Sequence, residues 1–147
     1  MFRGSAKAKI DAKGRFKLPT DFRRLLEERY GSRDVFVTSV EGNCARLYPL
    51  PVWEELEERL ARLASTDPKR LRFQRRVSYF GQQGVLDAQG RLVLQPILRD
   101  AAELVGEVVV CGHLEYLEIW NREAFEKHLA AEPFSEEDFG DLSAKGI

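Results

Sequence analysis

An α+β fold made of two related halves with flanking helices is predicted by three features of this sequence. A five-residue pattern occurs twice: Asp11-Ala12-Lys13-Gly14-Arg15 returns as Asp87-Ala88-Gln89-Gly90-Arg91, 76 residues later. Each copy follows a short alternating stretch and precedes a Pro and a helical pattern, at Leu18-Pro19 and Gln95-Pro96. The aromatic spacing repeats too, because Trp120 and Phe125 lie 72 residues after Tyr48 and Trp53. An internal repeat constrains a fold before any local reading does. Two copies are too few for a solenoid, so they predict halves packed about a pseudo-twofold axis, each supplying one polar turn.

Each element follows from its pattern. Ala6, Ala8 and Ile10 alternate with Lys7 and Lys9, and after the turn Phe16 and Leu18 alternate with Arg15 and Lys17. Period-two alternation on both sides of a Gly-containing turn predicts a β-hairpin with one apolar and one wet face. Asp11 can accept backbone N–H bonds in that turn, and Gly14 can take a positive φ. Pro19 opens a helix whose stripe is Phe22, Leu25, Leu26 and Tyr30, and Gly31 stops it. Strands over 35–40 and 45–48 flank a turn at 41–43. A helix from Pro51 to about residue 65 carries Trp53, Leu56, Leu60 and Leu63 at helical spacing, a stripe expected to pack mainly in this chain's own core, with a subunit contact, shared with the basic helix that follows, as the alternative. Asp67-Pro68 starts a basic helix running to about residue 80.

The second half replays this order. Its hairpin covers 84–86 and 91–94, its helix 96–105, its strands 107–111 and 116–120 about a turn at 112–115, and its closing helix 123–129. The expected organisation is a first half over 1–66, a connecting basic helix over 67–81, a second half over 82–132 and an acidic, flexible tail over 133–147.

Charge is distributed unevenly although the formal net is only −1. Residues 1–30 hold nine Lys and Arg against four acids. Residues 69–76 hold five bases and no acid, and residues 132–141 five acids and no base. Such asymmetry predicts a local site for a polyanion. Two cysteines, Cys44 and Cys111, make no disulfide framework in a chain of 147 residues, and the opening Met1-Phe2-Arg3-Gly4 has no long apolar run. No stretch approaches the roughly 18 to 20 apolar residues that a membrane span requires. These features predict a cytosolic protein with reduced thiols.

Catalytic chemistry finds no purchase. Cys111-Gly112-His113 offers two ligands where closed metal sites want four. Gly81-Gln82-Gln83-Gly84 lacks the Lys and Ser or Thr of a phosphate loop, and no Ser or Cys sits in a nucleophile motif. Neither enzyme activity nor a cofactor, metal or small-molecule substrate is expected. The repeated turn has a structural role available to it, with Asp capping, Gly permitting and Arg pairing with Asp at i+4. Lys7, Lys9, Lys13, Arg15 and Lys17, however, crowd one exposed hairpin face, where facing phosphates would relieve their mutual repulsion. A two-stranded ribbon fits the major groove, and Arg is suited to bidentate contact with guanine. The second copy has Gln89 and Val93 where the first has Lys13 and Lys17. The first hairpin is therefore expected to carry most of the contact, with the second packing on a neighbour or contributing only Arg91. Arg72, Arg75 and Arg76 on the basic helix are expected to be solvated or ion-paired rather than in contact with DNA.

Together these residues resemble the MraZ family of bacterial transcription regulators. The resemblance runs from Met1-Phe2-Arg3-Gly4 through Asp11-Ala12-Lys13-Gly14-Arg15 with Pro19, Leu47-Tyr48-Pro49-Leu50-Pro51 with Trp53, and Arg75-Arg76, to Asp87-Ala88-Gln89-Gly90-Arg91 and the last helix. It implies a double AbrB-like fold of swapped-hairpin β-barrel halves. It also implies a ring-shaped homo-oligomer that binds short direct repeats in double-stranded DNA upstream of the operon for cell division and wall synthesis, in the cytoplasm and on the nucleoid. The family's Asp-x-x-x-Arg signature maps onto Asp11, Lys13 and Arg15, and onto Asp87 and Arg91. Two other readings stand beside it. In one, an oligomeric scaffold docks an acidic protein through the basic face. In the other, the chain is an RNA binder or antitoxin-like member of the same fold, against which Phe16 counts by falling on the apolar side of the hairpin rather than being displayed for base stacking.

Overall fold

The computed structural model describes residues 1–147. Its elements run β1 (Ser5–Ile10), β2 (Arg15–Lys17), α1 (Thr20–Tyr30), β3 (Asp34–Thr38), β4 (Ala45–Pro49), α2 (Leu50–Ala61) and α3 (Pro68–Tyr79), then β5 (Gln82–Val85), β6 (Arg91–Val93), α4 (Pro96–Ala102), β7 (Gly106–His113), β8 (Tyr116–Asn121), α5 (Arg122–Ala131) and α6 (Glu136–Ala144). The repeat is visible in this order: β1 to α2 corresponds element by element with β5 to α5.

All eight strands form one antiparallel sheet in the order β5-β3-β4-β8-β7-β1-β2-β6. The halves exchange strands to build it. β1 pairs along its length with β7 of the second half, from Ser5↔Cys111 to Ile10↔Gly106. Reciprocally, β5 pairs with β3 of the first half, from Asp34↔Val85 to Val37↔Gln82. Two further ladders cross the pseudo-twofold axis, β2 with β6 about Phe16↔Leu92 and β4 with β8 about Arg46↔Glu118. The ends of the order nearly meet at the second turn, where the Asp87 N–H donates to Arg91 O at 3.1 Å. The molecule is thus a nearly closed barrel of two swapped-hairpin halves.

This exchange changes the expected hairpin. β1 and β2 share a single register pair, Ile10↔Phe16, before they diverge. The cause is strand length: β1 has six residues and β2 three, so only β7 can satisfy the rest of the β1 backbone. The alternation itself holds, with Ile10, Phe16 and Leu18 at most 1% exposed and Lys7, Lys9, Arg15 and Lys17 outside. One core cluster of 19 buried residues draws on both halves and includes Phe2, Phe16, Leu47, Leu94, Val110 and Ile119. A second holds Tyr48, Val52, Trp53 and Val77 under α2 and α3.

Several boundaries shift for local reasons. The last first-half helix stops at Ala61, so the expected stripe divides: Trp53 is buried, Leu56 and Leu60 are half-buried, and Leu63 is 48% exposed beyond the helix end. α4 stops at Ala102 because Glu103 turns to φ 54° and sends Leu104 back into the core. β7 runs through the expected turn to His113, because Phe2 and Gly4 bond its end, with Phe2 N–H donating to Leu114 O and Gly112 N–H to Gly4 O. Residues expected to lack regular structure form α6, capped by Ser135 and Asp138 in a reciprocal capping box.

At the centre of the β4–β8 ladder the outward pair is Arg46 and Glu118, 3.9 Å apart. Glu118 also accepts from Trp120 Nε1 at 3.0 Å and lies 2.9 Å from His113 Nε2. Tyr116 stacks on Tyr48 and under the Arg46 guanidinium. Beside this cluster Cys44 is buried and Cys111 half-buried, and both are free thiols. Burial, reinforced by the Glu118 charge, pushes the Cys44 thiol up to about 12 and raises Cys111 as well.

Two outcomes are expected. Phe16→Ala removes an aromatic that both halves pack against and should cost about 3–5 kcal/mol in urea unfolding, as one cooperative transition. A loss under about 1 kcal/mol would place that ring outside the shared core. In the folded protein at about pH 8, iodoacetamide should label Cys111 at least about tenfold faster than Cys44, read by peptide mass spectrometry, because only an accessible thiolate reacts.

Candidate nucleic-acid interface

Both repeated turns are built the same way. The Asp11 carboxylate accepts from the backbone N–H of Lys13 and of Arg15, each at 3.0 Å. Asp87 accepts from the N–H of Gln89 at 2.8 Å and of Arg91 at 2.9 Å. These bonds hold both carboxyls below the ordinary aspartate range, the Arg15 N–H acting most on Asp11 and the Arg91 N–H on Asp87. A carboxylate with a lowered pKa contributes above its ordinary range and loses that contribution as pH falls through the lowered value. The turns therefore keep their shape at neutral pH and loosen only in strong acid.

Glycine is required at the fourth position of each turn. Gly14 and Gly90 have φ of 82° and 80°, where a side chain is strained. A Cβ at Gly14 would come within 2.5 Å of Arg99 Nε and 2.7 Å of Leu94 O. The carbonyls of these glycines bond across the halves: Leu94 N–H donates to Gly14 O and Leu18 N–H to Gly90 O.

Arginines on the short helices then clamp the opposite half's turn. Arg99 of α4 donates from Nε to Leu94 O at 2.8 Å and from Nη1 to Ala12 O at 3.2 Å. Arg23 of α1 donates from Nη1 to Ala88 O at 2.6 Å, while its buried Nε has no partner. These two residues were invisible as a pair in charge patterning, yet they stand at the same 76-residue offset as the motif. That offset was the available signal.

The outward face between the turns belongs to both halves. Across the β2–β6 ladder Lys17 faces Arg91 and Arg15 faces Val93, while Phe16 and Leu92 face inward. Directly opposed residues project on the same side of a sheet. Lys9, Arg15, Lys17 and Arg91 therefore border one shallow concavity floored by Phe16. Lys7 and Lys9 line an adjoining one with Glu107 and Arg122. Lys13 stands exposed at the tip of the first turn. Arg15 uses Nε to bond the Asp11 carboxylate, and both Nη groups of this exposed side chain are without a partner. Arg91 makes no side-chain hydrogen bond, and Val93 beside it is 54% exposed. Five of the eight sequence-derived positions, Lys7, Lys9, Arg15, Lys17 and Arg91, thus border two adjoining concavities that both halves build, while Asp11, Lys13 and Asp87 lie in the turns. Arg72, Arg75 and Arg76 are exposed on α3 and take no part in this ladder, Arg76 reaching instead to Val40 O.

No three His, Cys, Asp or Glu side chains gather in a metal-binding arrangement, and Cys111 and His113 have Glu118 between them as a partner. No helix is long and apolar enough to cross a membrane.

Fold and surface together define a class: an internally duplicated swapped-hairpin barrel that displays paired Asp-x-x-x-Arg turns on a basic ladder. The family model described as "MraZ protein, putative antitoxin-like" matches residues 1–76 and 82–144. The chain is 44% identical over 147 residues to a protein of Acidobacterium capsulatum and 43% identical over 147 residues to one of Koribacter versatilis, covering all of each. It is 35% identical over 146 residues to one of Escherichia coli, which spans 99% of this chain and 96% of the relative. All three are named transcriptional regulator MraZ. The chain belongs to the MraZ family.

The clamps generate an expected asymmetry. Arg99→Ala frees the basic first turn and should weaken duplex DNA binding about tenfold, whereas Arg23→Ala, already short of one bond, should weaken it about threefold or less. The measurement is fluorescence anisotropy beside thermal unfolding. A larger loss at Arg23 would mean that the second turn dominates.

Proposed function

We propose that this chain is a sequence-specific DNA-binding transcriptional regulator. In this reading it is a repressor that binds short direct repeats upstream of its own gene and of the division and cell-wall operon. It acts as a ring-shaped homo-oligomer, in the cytoplasm and on the nucleoid, without catalytic activity. The names of the relatives support regulation of transcription. The single observation that carries the reading is the shared outward face of Lys9, Arg15, Lys17 and Arg91 on the β2–β6 ladder.

The roles divide by chemistry. Lys7, Lys9, Lys13 and Lys17 neutralise phosphates, releasing counterions and making affinity depend steeply on salt. Arg15 and Arg91 read base edges. The Asp11 carboxylate on Nε fixes the guanidinium plane so that the two Nη groups present a fork to guanine O6 and N7. Asp11 and Asp87 act by shaping the turns, since one carboxylate oxygen of each accepts two backbone N–H groups of its own turn. One face reads one short box, and several boxes in phase on one oligomer supply the affinity a single box lacks.

Anisotropy on a duplex from upstream of this protein's own operon, against a scrambled duplex at two salt concentrations, tests the proposal. Arg15→Ala should cost about 1–3 kcal/mol on the native duplex and erase the preference over the scrambled one, and Arg91→Ala should cost less; equal losses would refute the asymmetry between the two turns. Lys17→Ala should weaken both duplexes alike and lower the salt slope by about one. Equal binding to both duplexes by the unaltered protein would overturn operator recognition and favour a scaffold whose basic face takes an acidic protein.

A further inference from the structure

Helix α6 has no packing partner in this chain. It is nine residues long, and every residue from Leu129 to Ile147 is exposed. Isolated helices shorter than about 12–15 residues are marginal in water, and most helical stability comes from burying an apolar face. The sequence here is nonetheless committed to a helix by its capping box. Its apolar side chains remain bare: Phe134 is 65% exposed, Phe139 60% and Leu142 37%. Phe139 and Leu142 are three apart and share a face, and Phe134 stands just ahead of the cap, where a hydrophobic staple would form. Around them stand Glu132, Glu136, Glu137, Asp138 and Asp141, with no base.

The corresponding helix of the first half is α3, which follows α2 as α6 follows α5. It is packed, with Phe73 and Val77 against the Tyr48 and Trp53 cluster. On the outer flank of this helix pair an open apolar groove is lined by Leu56, Leu60, Leu63 and Phe73. Arg59 is the only charged residue in its wall. α3 alongside brings five bases and no acid. The same chain therefore carries an unpartnered acidic apolar helix and an open apolar groove whose one charged lining residue is Arg59, between α3 with its five bases and α2 with Glu54, Glu55, Glu57 and Glu58.

We propose that α6 of one copy docks in the α2–α3 groove of a second copy, Phe139 and Leu142 entering beside Leu60, Leu63 and Phe73. Each copy gives one helix and receives one, so the contact is heterologous, and repetition of it closes a ring or extends a filament. A nine-residue helix, about 13 Å long, makes a small interface. Each single joint is accordingly weak, and closure makes the assembly durable. The inference deepens the ring reading and rests on it.

Mass photometry and light scattering on the full chain test it with two surface variants, Leu63→Asp in the groove and Phe139→Asp on α6. Both positions are exposed, at 48% and 60%, so both variants fold. By light scattering over a concentration series the unaltered protein is expected to be oligomeric, each variant monomeric at every concentration, and an equimolar mixture to move toward a dimer as concentration rises, because one intact helix then meets one intact groove. Salt should shift the unaltered protein toward smaller species. If either variant keeps the full assembly, this docking is wrong while the ring reading stands on another face. If both variants fall apart but their mixture forms no dimer, the helix does not enter the groove. A monomeric unaltered chain removes both ideas, and operator preference, measured separately by anisotropy, is unaffected by either result.

Discussion

The ladder between β2 and β6 is the contact on which the rest of this protein depends. It joins strands of only three residues, and neither would persist as an isolated hairpin. On its inner side Phe16 and Leu92 close the barrel across the pseudo-twofold axis. On its outer side the same register sets Lys17 against Arg91. Like charges opposed on one face disfavour the ladder. The core beneath it offsets that repulsion, and a polyanion above would relieve it. Stability and recognition are therefore two sides of one short strand pair.

The exchange of β1 and β5 makes that arrangement possible. A barrel closed by exchange leaves few strand edges open to pair with other chains. It also ties each signature turn to the other half, through the glycine carbonyls and the arginines of α1 and α4. Neither turn has its native surroundings without the half it does not belong to. Fusion of the two copies in one chain keeps both sets of partners at high effective concentration.

Much of this was legible in the residues. The repeated five-residue pattern announced two halves, the period-two alternation sorted Phe16 inward and Lys17 outward, and the Pro and Gly positions marked helix ends. What the local pattern could not supply was partnership. Alternation states which side of a strand is wet but not which strand lies beside it, so the short pairing of β1 with β2 was legible and its longer ladder with β7 was not. The shared face of Arg15 and Arg91 was hidden for the same reason. Arg99 was missed because a single arginine on a helix reads as solvated, and only the offset to Arg23 distinguishes it. The tail lacked periodicity over a long window, yet Ser135 and Asp138 carried a capping signal in four residues.

The pair at the centre of the β4–β8 ladder makes the two halves depend on being unlike. An exact twofold axis obliges a residue lying on it to meet its own copy. Arg46 and Glu118 occupy equivalent positions, offset by the same 72 residues as Tyr48 and Trp120, and they meet each other. Two separate first halves pairing in this manner would set Arg46 against Arg46, half-buried and unopposed. Two second halves would do the same with Glu118. Because the two halves differ at this position, opposite charges meet on the axis, and neither half is self-complementary there.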